Sequence, residues 1–114
     1  MPYIAVNTSL SLSDAQRETV KTELGKLIEI LPGKSEASLM IDFSDARPMY
    51  FRGAPMSGCA FMDVRLYGKS ETEAKKQFVQ QVFRMMEHVL GVKSSEMFLN
   101  ITEMEQWGSG GILK

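Results

Sequence analysis

The pattern that most constrains this chain occurs twice: a strand, an amphipathic helix, then a second strand. Residues 3–8, "YIAVNT", are short and partly β-branched and end at a serine-rich turn, which reads as a strand. "SLSDAQRETVKTELGKLIEIL" follows. Ser13 and Gln16 fit a capping box, and Val20, Leu24, Leu27, Ile28 and Leu31 recur at helical spacing. Gly25 weakens this helix slightly, and Pro32-Gly33 ends it. "ASLMIDFS" (37–44) is expected as a strand with Leu39, Ile41 and Phe43 on one face. A turn-rich bridge, with a short strand at Met49–Phe51, leads to the next strand, "CAFMDVRLYG" (59–68). There Ala60, Met62, Val64 and Leu66 share one face, and Phe61, Asp63, Arg65 and Tyr67 the other. Ser70 and Glu73 suggest a second capping box, for a helix through Phe78, Val82, Phe83, Met86 and Leu90 that stops at Gly91. "MFLNIT" (97–102) is the last expected strand.

The two halves, about 1–50 and 59–103, resemble each other weakly. "GKSEASLMI" follows the first helix and "VKSSEMFLNI" the second, and Ala15 and Ala74 keep the same separation as Lys34 and Lys93. Two βαβ units give an α+β domain spanning 1–114: one four-stranded sheet with both helices on one face. The other face then carries Phe61, Tyr67 and Phe98 among polar residues, a mixed surface suited to self-association.

Composition narrows the functional classes. A net charge of −1 without a basic stripe favours neither nucleic acid nor an anionic membrane. A single cysteine, Cys59, allows no internal disulfide and no cysteine metal cluster. No apolar run has the length of a membrane span and no signal peptide is visible, so the expected location is the cytoplasm, with secretion without a signal left open. Pro2 has two readings. It is a residue that opens a strand at little cost, or, once Met1 is trimmed, a secondary amine able to act as a base.

Several residues, in order, carry a resemblance. They are Met1-Pro2 with Asn7-Thr8, Gly33-Lys34, Pro48-Met49 followed by Phe51 and Gly53, Gly68-Lys69, and Asn100. The chain resembles the macrophage migration inhibitory factor (MIF) and D-dopachrome tautomerase branch of the tautomerase superfamily from residue 1 to about residue 107. The resemblance implies a β-α-β-β-α-β subunit in a ring-shaped homotrimer, with active sites between subunits. It implies keto–enol tautomerisation of phenylpyruvate-like α-keto acids with Pro2 as general acid and base, and no metal or cofactor. Lys34 matches a lysine that binds the substrate carboxylate, and Tyr67 a position whose backbone N–H reaches the same group. Asn100 and Phe98 match residues supplied by the neighbouring subunit. It also leaves two alternatives: a cytokine-like trimer that binds a receptor protein with vestigial catalysis, or a decarboxylating dopachrome-type tautomerase. There are departures. Met62 stands where a Cys-x-x-Cys would have its second cysteine, Ser38 replaces a tyrosine, and Leu66-Tyr67-Gly68 replaces Ser-Ile-Gly. Arg52 replaces a glycine and is a candidate second anion contact, while the placing of Trp107 is closer to the dopachrome branch.

Such chemistry asks for a base that titrates near neutrality. A proline amine is brought there by apolar walls, for which Tyr3, Phe98 and Trp107 are candidates, and by a nearby cation such as Lys34. Asn100 or a backbone N–H would serve the enolate oxygen.

Overall fold

A computed structural model describes residues 1–114. Strand β1 (Pro2–Thr8) leads to helix α1 (Asp14–Leu27) and strand β2 (Met40–Ser44). A small hairpin, β3 (Tyr50–Phe51) with β4 (Ala54–Pro55), precedes β5 (Ala60–Tyr67), helix α2 (Thr72–Leu90) and β6 (Met97–Met104). A second hairpin, β7 (Gly108–Ser109) with β8 (Ile112–Leu113), closes the chain. The main sheet runs β2-β1-β5-β6. β1 and β5 are antiparallel at its centre, and each βαβ unit adds its own parallel edge strand. This is the β-α-β-β-α-β order expected from the repeated pattern.

The alternation along each strand decides which face the helices cover. Ile4 and Val6 of β1, and Met62, Val64 and Leu66 of β5, are fully buried. They meet Val20 and Leu24 of α1 and Phe78, Val82 and Met86 of α2 in one core. No helix is long and apolar enough to cross a membrane. The opposite face carries Tyr3, Ala5, Asp63, Arg65, Asn100 and Thr102, none of them buried, and no helix packs there.

The first helix starts as its sequence indicates. The Gln16 N–H donates to Ser13 Oγ at 3.1 Å, and the Ser13 N–H to Gln16 Oε1 at 2.9 Å. Gly25 is buried because the Glu36 side chain lies over it, where a Cβ would collide. The second helix starts differently. Its N-cap is Glu71, with no side-chain cap, and the Ser70 N–H instead donates to the Glu103 carboxylate at 2.6 Å. A long-range partner thus replaces the expected Ser70–Glu73 box. Gly91 ends the helix at φ 72°, a conformation that favours glycine. The strand expected over 37–44 begins only at Met40, because Glu36–Ser38 form a 3-10 turn. Strand β6 runs two residues beyond the expected 97–102.

Candidate active site

Pro2 pairs with Leu66 at the end of the central β1–β5 ladder, which places its ring in the buried layer and its nitrogen at the sheet end. The chain turn after α1 brings Lys34 to the same end, where its Nζ donates to the Tyr67 carbonyl at 2.8 Å. The Tyr67 N–H donates to the Met1 carbonyl at 3.3 Å. Three of the residues named from the sequence, Pro2, Lys34 and Tyr67, therefore converge within one subunit. The electrostatics there disfavour a protonated amine. The Met1 amino group is held below the ordinary range of a terminal amine, first by partial burial and then by the positive charges of Lys34 and Lys114.

An open cavity of about 740 Å³ adjoins this end of the sheet. Its lining includes Met1, Pro2 and Tyr3 at the start of the chain, with Met40 beside Tyr3 on β2 and Arg65 beside it on β5, and Met104 and Trp107 from the end of the chain. Trp107 reaches the cavity because the terminal hairpin folds back: Trp107 and Lys114 exchange backbone hydrogen bonds at 3.2 and 2.8 Å. Ser38 borders the cavity too, so the position where the resemblance has a tyrosine carries a small hydroxyl. Arg65 was legible only as an outward residue of an alternating strand. Its register opposite Tyr3 makes it part of the wall. The Tyr3 hydroxyl donates to Asp42 at 3.1 Å; burial first, then that carboxylate, holds the phenol above its usual range.

Asn100 and Phe98 lie elsewhere on the uncovered face. Phe98 pairs in register with Phe61, and Pro2 with Leu66. At the rise of a β-strand that separates them by roughly 17 Å along the sheet. Phe98 is 59% exposed and meets Phe51 edge-on, with ring centroids 5.3 Å apart. The Asn100 amide donates to Thr102 Oγ1 at 3.0 Å and to Asp63 Oδ1 at 3.4 Å. Within one chain these two residues are not brought to Pro2. Arg52 is not an anion contact at this cavity. Its guanidinium lies over the Phe51 ring at 4.5 Å, donates to the Ser95 carbonyl at 2.7 Å and bridges to Glu96 at 3.4 Å. Cys59 is buried and free. A second open cavity, of about 570 Å³, lies between the helices at Leu27, Arg84, Met85 and His88, with no Pro2-side residue in its lining.

The fold has many counterparts among solved structures. Leishmania major MIF2 superposes with a TM-score of 0.88, covering 100% of this chain and 97% of that one at 23% identity. Pt0534 inactivated by 2-oxo-3-pentynoate matches at a TM-score of 0.85 and 12% identity, over 96% of this chain and 93% of that one. A fused 4-OT described as an asymmetric trimer matches at 0.86 and 16% identity, over 96% and 94%. No family model matches the sequence, and no curated protein does. The likeness is one of fold. It extends over the whole chain and includes MIF-like proteins, as the resemblance of the sequence implies.

Proposed function

We propose that the chain is a keto–enol tautomerase of α-keto acids, with phenylpyruvate as a usable substrate, and that Pro2 acts as the base once Met1 has been removed. The observation that carries this reading is the double role of Met1. Its carbonyl forms the amide at Pro2 and also accepts the Tyr67 N–H. Removing Met1 frees two groups at once: a secondary amine and a backbone donor, beside the Lys34 ammonium.

The reaction then needs no redox partner. The substrate carboxylate pairs with Lys34 and the Tyr67 N–H, which holds the adjacent carbon toward Pro2. The Pro2 nitrogen takes the proton next to the carbonyl, and the electron pair moves into the new C=C bond. The same proton is returned to the enolate oxygen, so one group acts as base and then acid. Burial and the charges of Lys34 and Lys114 depress the Met1 amine, and on this proposal the same surroundings depress the Pro2 amine that takes its place.

The site is completed, on this proposal, by a homotrimer in the cytoplasm, with Phe98 and Asn100 supplied by a neighbouring subunit. Their place far from Pro2, on a face no helix covers, supports that arrangement. The fused 4-OT with the same fold is a trimer. The test compares phenylpyruvate tautomerisation by three proteins of verified mass: chain beginning at Pro2, chain retaining Met1, and the Pro2→Gly variant. The chain beginning at Pro2 is expected to exceed both others by about 10²–10⁴-fold in kcat/KM. Equal rates in all three would refute the proposal.

A further inference from the structure

The cavity beside Pro2 and the cavity between the helices differ in what their cations already hold. At the first, Arg65 is tied to Asp63 at 3.0 Å. Arg17 and Arg52 are paired as well, with Asp45 at 3.6 Å and Glu96 at 3.4 Å. At the second cavity, of about 570 Å³, Arg84 meets no carboxylate. Glu87, one turn further along α2, does not line it. The neighbours of Arg84 on this wall are free in the same way: neither the Gln81 amide nor the His88 ring has a hydrogen-bond partner within the chain.

The spacing makes these residues a single wall. Gln81, Arg84, Met85 and His88 recur at three and four residues, so they share one stripe of α2. A guanidinium carries five N–H donors, a side-chain amide two and an imidazole at least one. The floor beside them is apolar. Met85 is buried, and Leu27 of α1 and Val89 are partly buried against the core. The facing helix adds one acid, Glu23, whose carboxylate lies 3.7 Å from Lys26. A free guanidinium over an apolar floor suits a ligand with one planar anionic head and an apolar body. A second negative charge would be set against Glu23. A bare inorganic anion would leave the floor uncovered.

We infer that the groove between α1 and α2 is a second binding site, for monocarboxylates with an apolar alkyl or aryl body. Arg84 holds the carboxylate through two parallel N–H donors, and His88 or Gln81 donates a further hydrogen bond. The body lies on Leu27, Met85 and Val89. The groove shares no lining residue with the cavity beside Pro2, so the inference is independent of Pro2 as a base.

The chain carries its own reporter for each cavity. His88 is the only histidine and lines the groove; Trp107 is the only tryptophan and lines the cavity beside Pro2. Proton NMR of the full chain therefore follows both at once. Acetate, hexanoate, octanoate, phenylacetate and inorganic phosphate are added in turn, at constant pH and ionic strength. The three larger carboxylates should shift the His88 ring signals saturably, and bind about tenfold tighter or more than acetate or phosphate. Arg84 is exposed and unpaired, so Arg84→Gln should leave the fold intact. It should weaken octanoate binding by about tenfold or more, with the His88 reporter retained. Arg84→Lys should restore part of the loss, and Glu23→Gln should tighten binding by a smaller factor. No saturable shift at His88, equal affinity for acetate and octanoate, or unchanged affinity in Arg84→Gln would overturn the inference. A saturable shift at Trp107 alone would put the carboxylate beside Pro2 only, and would overturn it too. A His88 shift that grows with protein concentration in the absence of ligand would assign the groove to a second copy of the chain instead.

Discussion

Strand β5 presents two surfaces with opposite tasks. Ala60, Met62, Val64 and Leu66 point into the helix layer and are at most 3% exposed. Phe61, Asp63, Arg65 and Tyr67 point the other way, where no helix lies and where charges, an amide and aromatic rings alternate. The first surface holds the chain together. The second is stabilised only by local pairs such as Arg65–Asp63 and Asn100–Thr102, and it contains the cavity wall. Burial is concentrated on one side, so the other side is free of the packing constraints of the core.

The comparison breaks most clearly if two phenylalanines on opposite sides are truncated. Phe78 is fully buried in the core, and Phe78→Ala should lower unfolding stability by about 3–5 kcal/mol in denaturant titrations. Phe98→Ala should leave the fold's own packing nearly untouched and weaken self-association. It would then appear as a melting temperature that depends less on protein concentration, and as dissociation at higher concentration in sedimentation. A loss in Phe98→Ala as large as in Phe78→Ala, and independent of concentration, would place Phe98 in the core energetics and contradict the division.

The cavity side is sharpened by the charge beside Pro2. Protonating an amine next to a cation is unfavourable, so Lys34 lowers the pKa there and its removal raises it. In the chain beginning at Pro2, Lys34→Ala should therefore move the acid limb of the pH–kcat/KM profile to higher pH. Its loss of substrate pairing lowers the amplitude separately. An unmoved limb would limit Lys34 to binding.

A smaller effect belongs to the core-side end of β6. Glu103 accepts from Lys75 at 2.9 Å and from the Ser70 N–H, and these contacts hold its carboxyl below the usual range. A carboxyl whose folded pKa is depressed stabilises the fold above its unfolded value, and that contribution is lost as pH falls through the folded value. Stability should therefore decline through the acid range below the ordinary glutamate value of about 4.3. Glu103→Gln should flatten that decline, in urea titrations across pH. Because the pair is partly solvated, the change is modest.

What was legible in the sequence follows the same division. Both helices, the order of the four main strands and the buried face were visible because periodicity records burial, and burial here is one-sided. The convergence of Pro2, Lys34 and Tyr67 came from the resemblance, since no local pattern links residues so far apart. Arg65 was missed as a wall residue because its alternation marks only an outward side chain, and its place depends on the β1 register. The terminal hairpin at 108–113 was missed because its strands have two residues each around Gly110-Gly111, too short for alternation.

The smallest prediction follows from the two helix starts, which look alike in sequence and differ in structure. At α1 the serine hydroxyl itself is used: Ser13 Oγ accepts the Gln16 N–H, and the box is reciprocal. Ser13→Ala should cost about 1 kcal/mol. At α2 the contribution comes from the Ser70 backbone N–H, which alanine keeps, and from a carboxylate on another strand. Ser70→Ala should thus change stability by less than about 0.5 kcal/mol. Equal losses at the two serines in matched denaturant titrations would mean that the Ser70 hydroxyl caps α2 after all. A loss at Ser13 alone would show that the same sequence motif is local at one helix and replaced by a tertiary contact at the other.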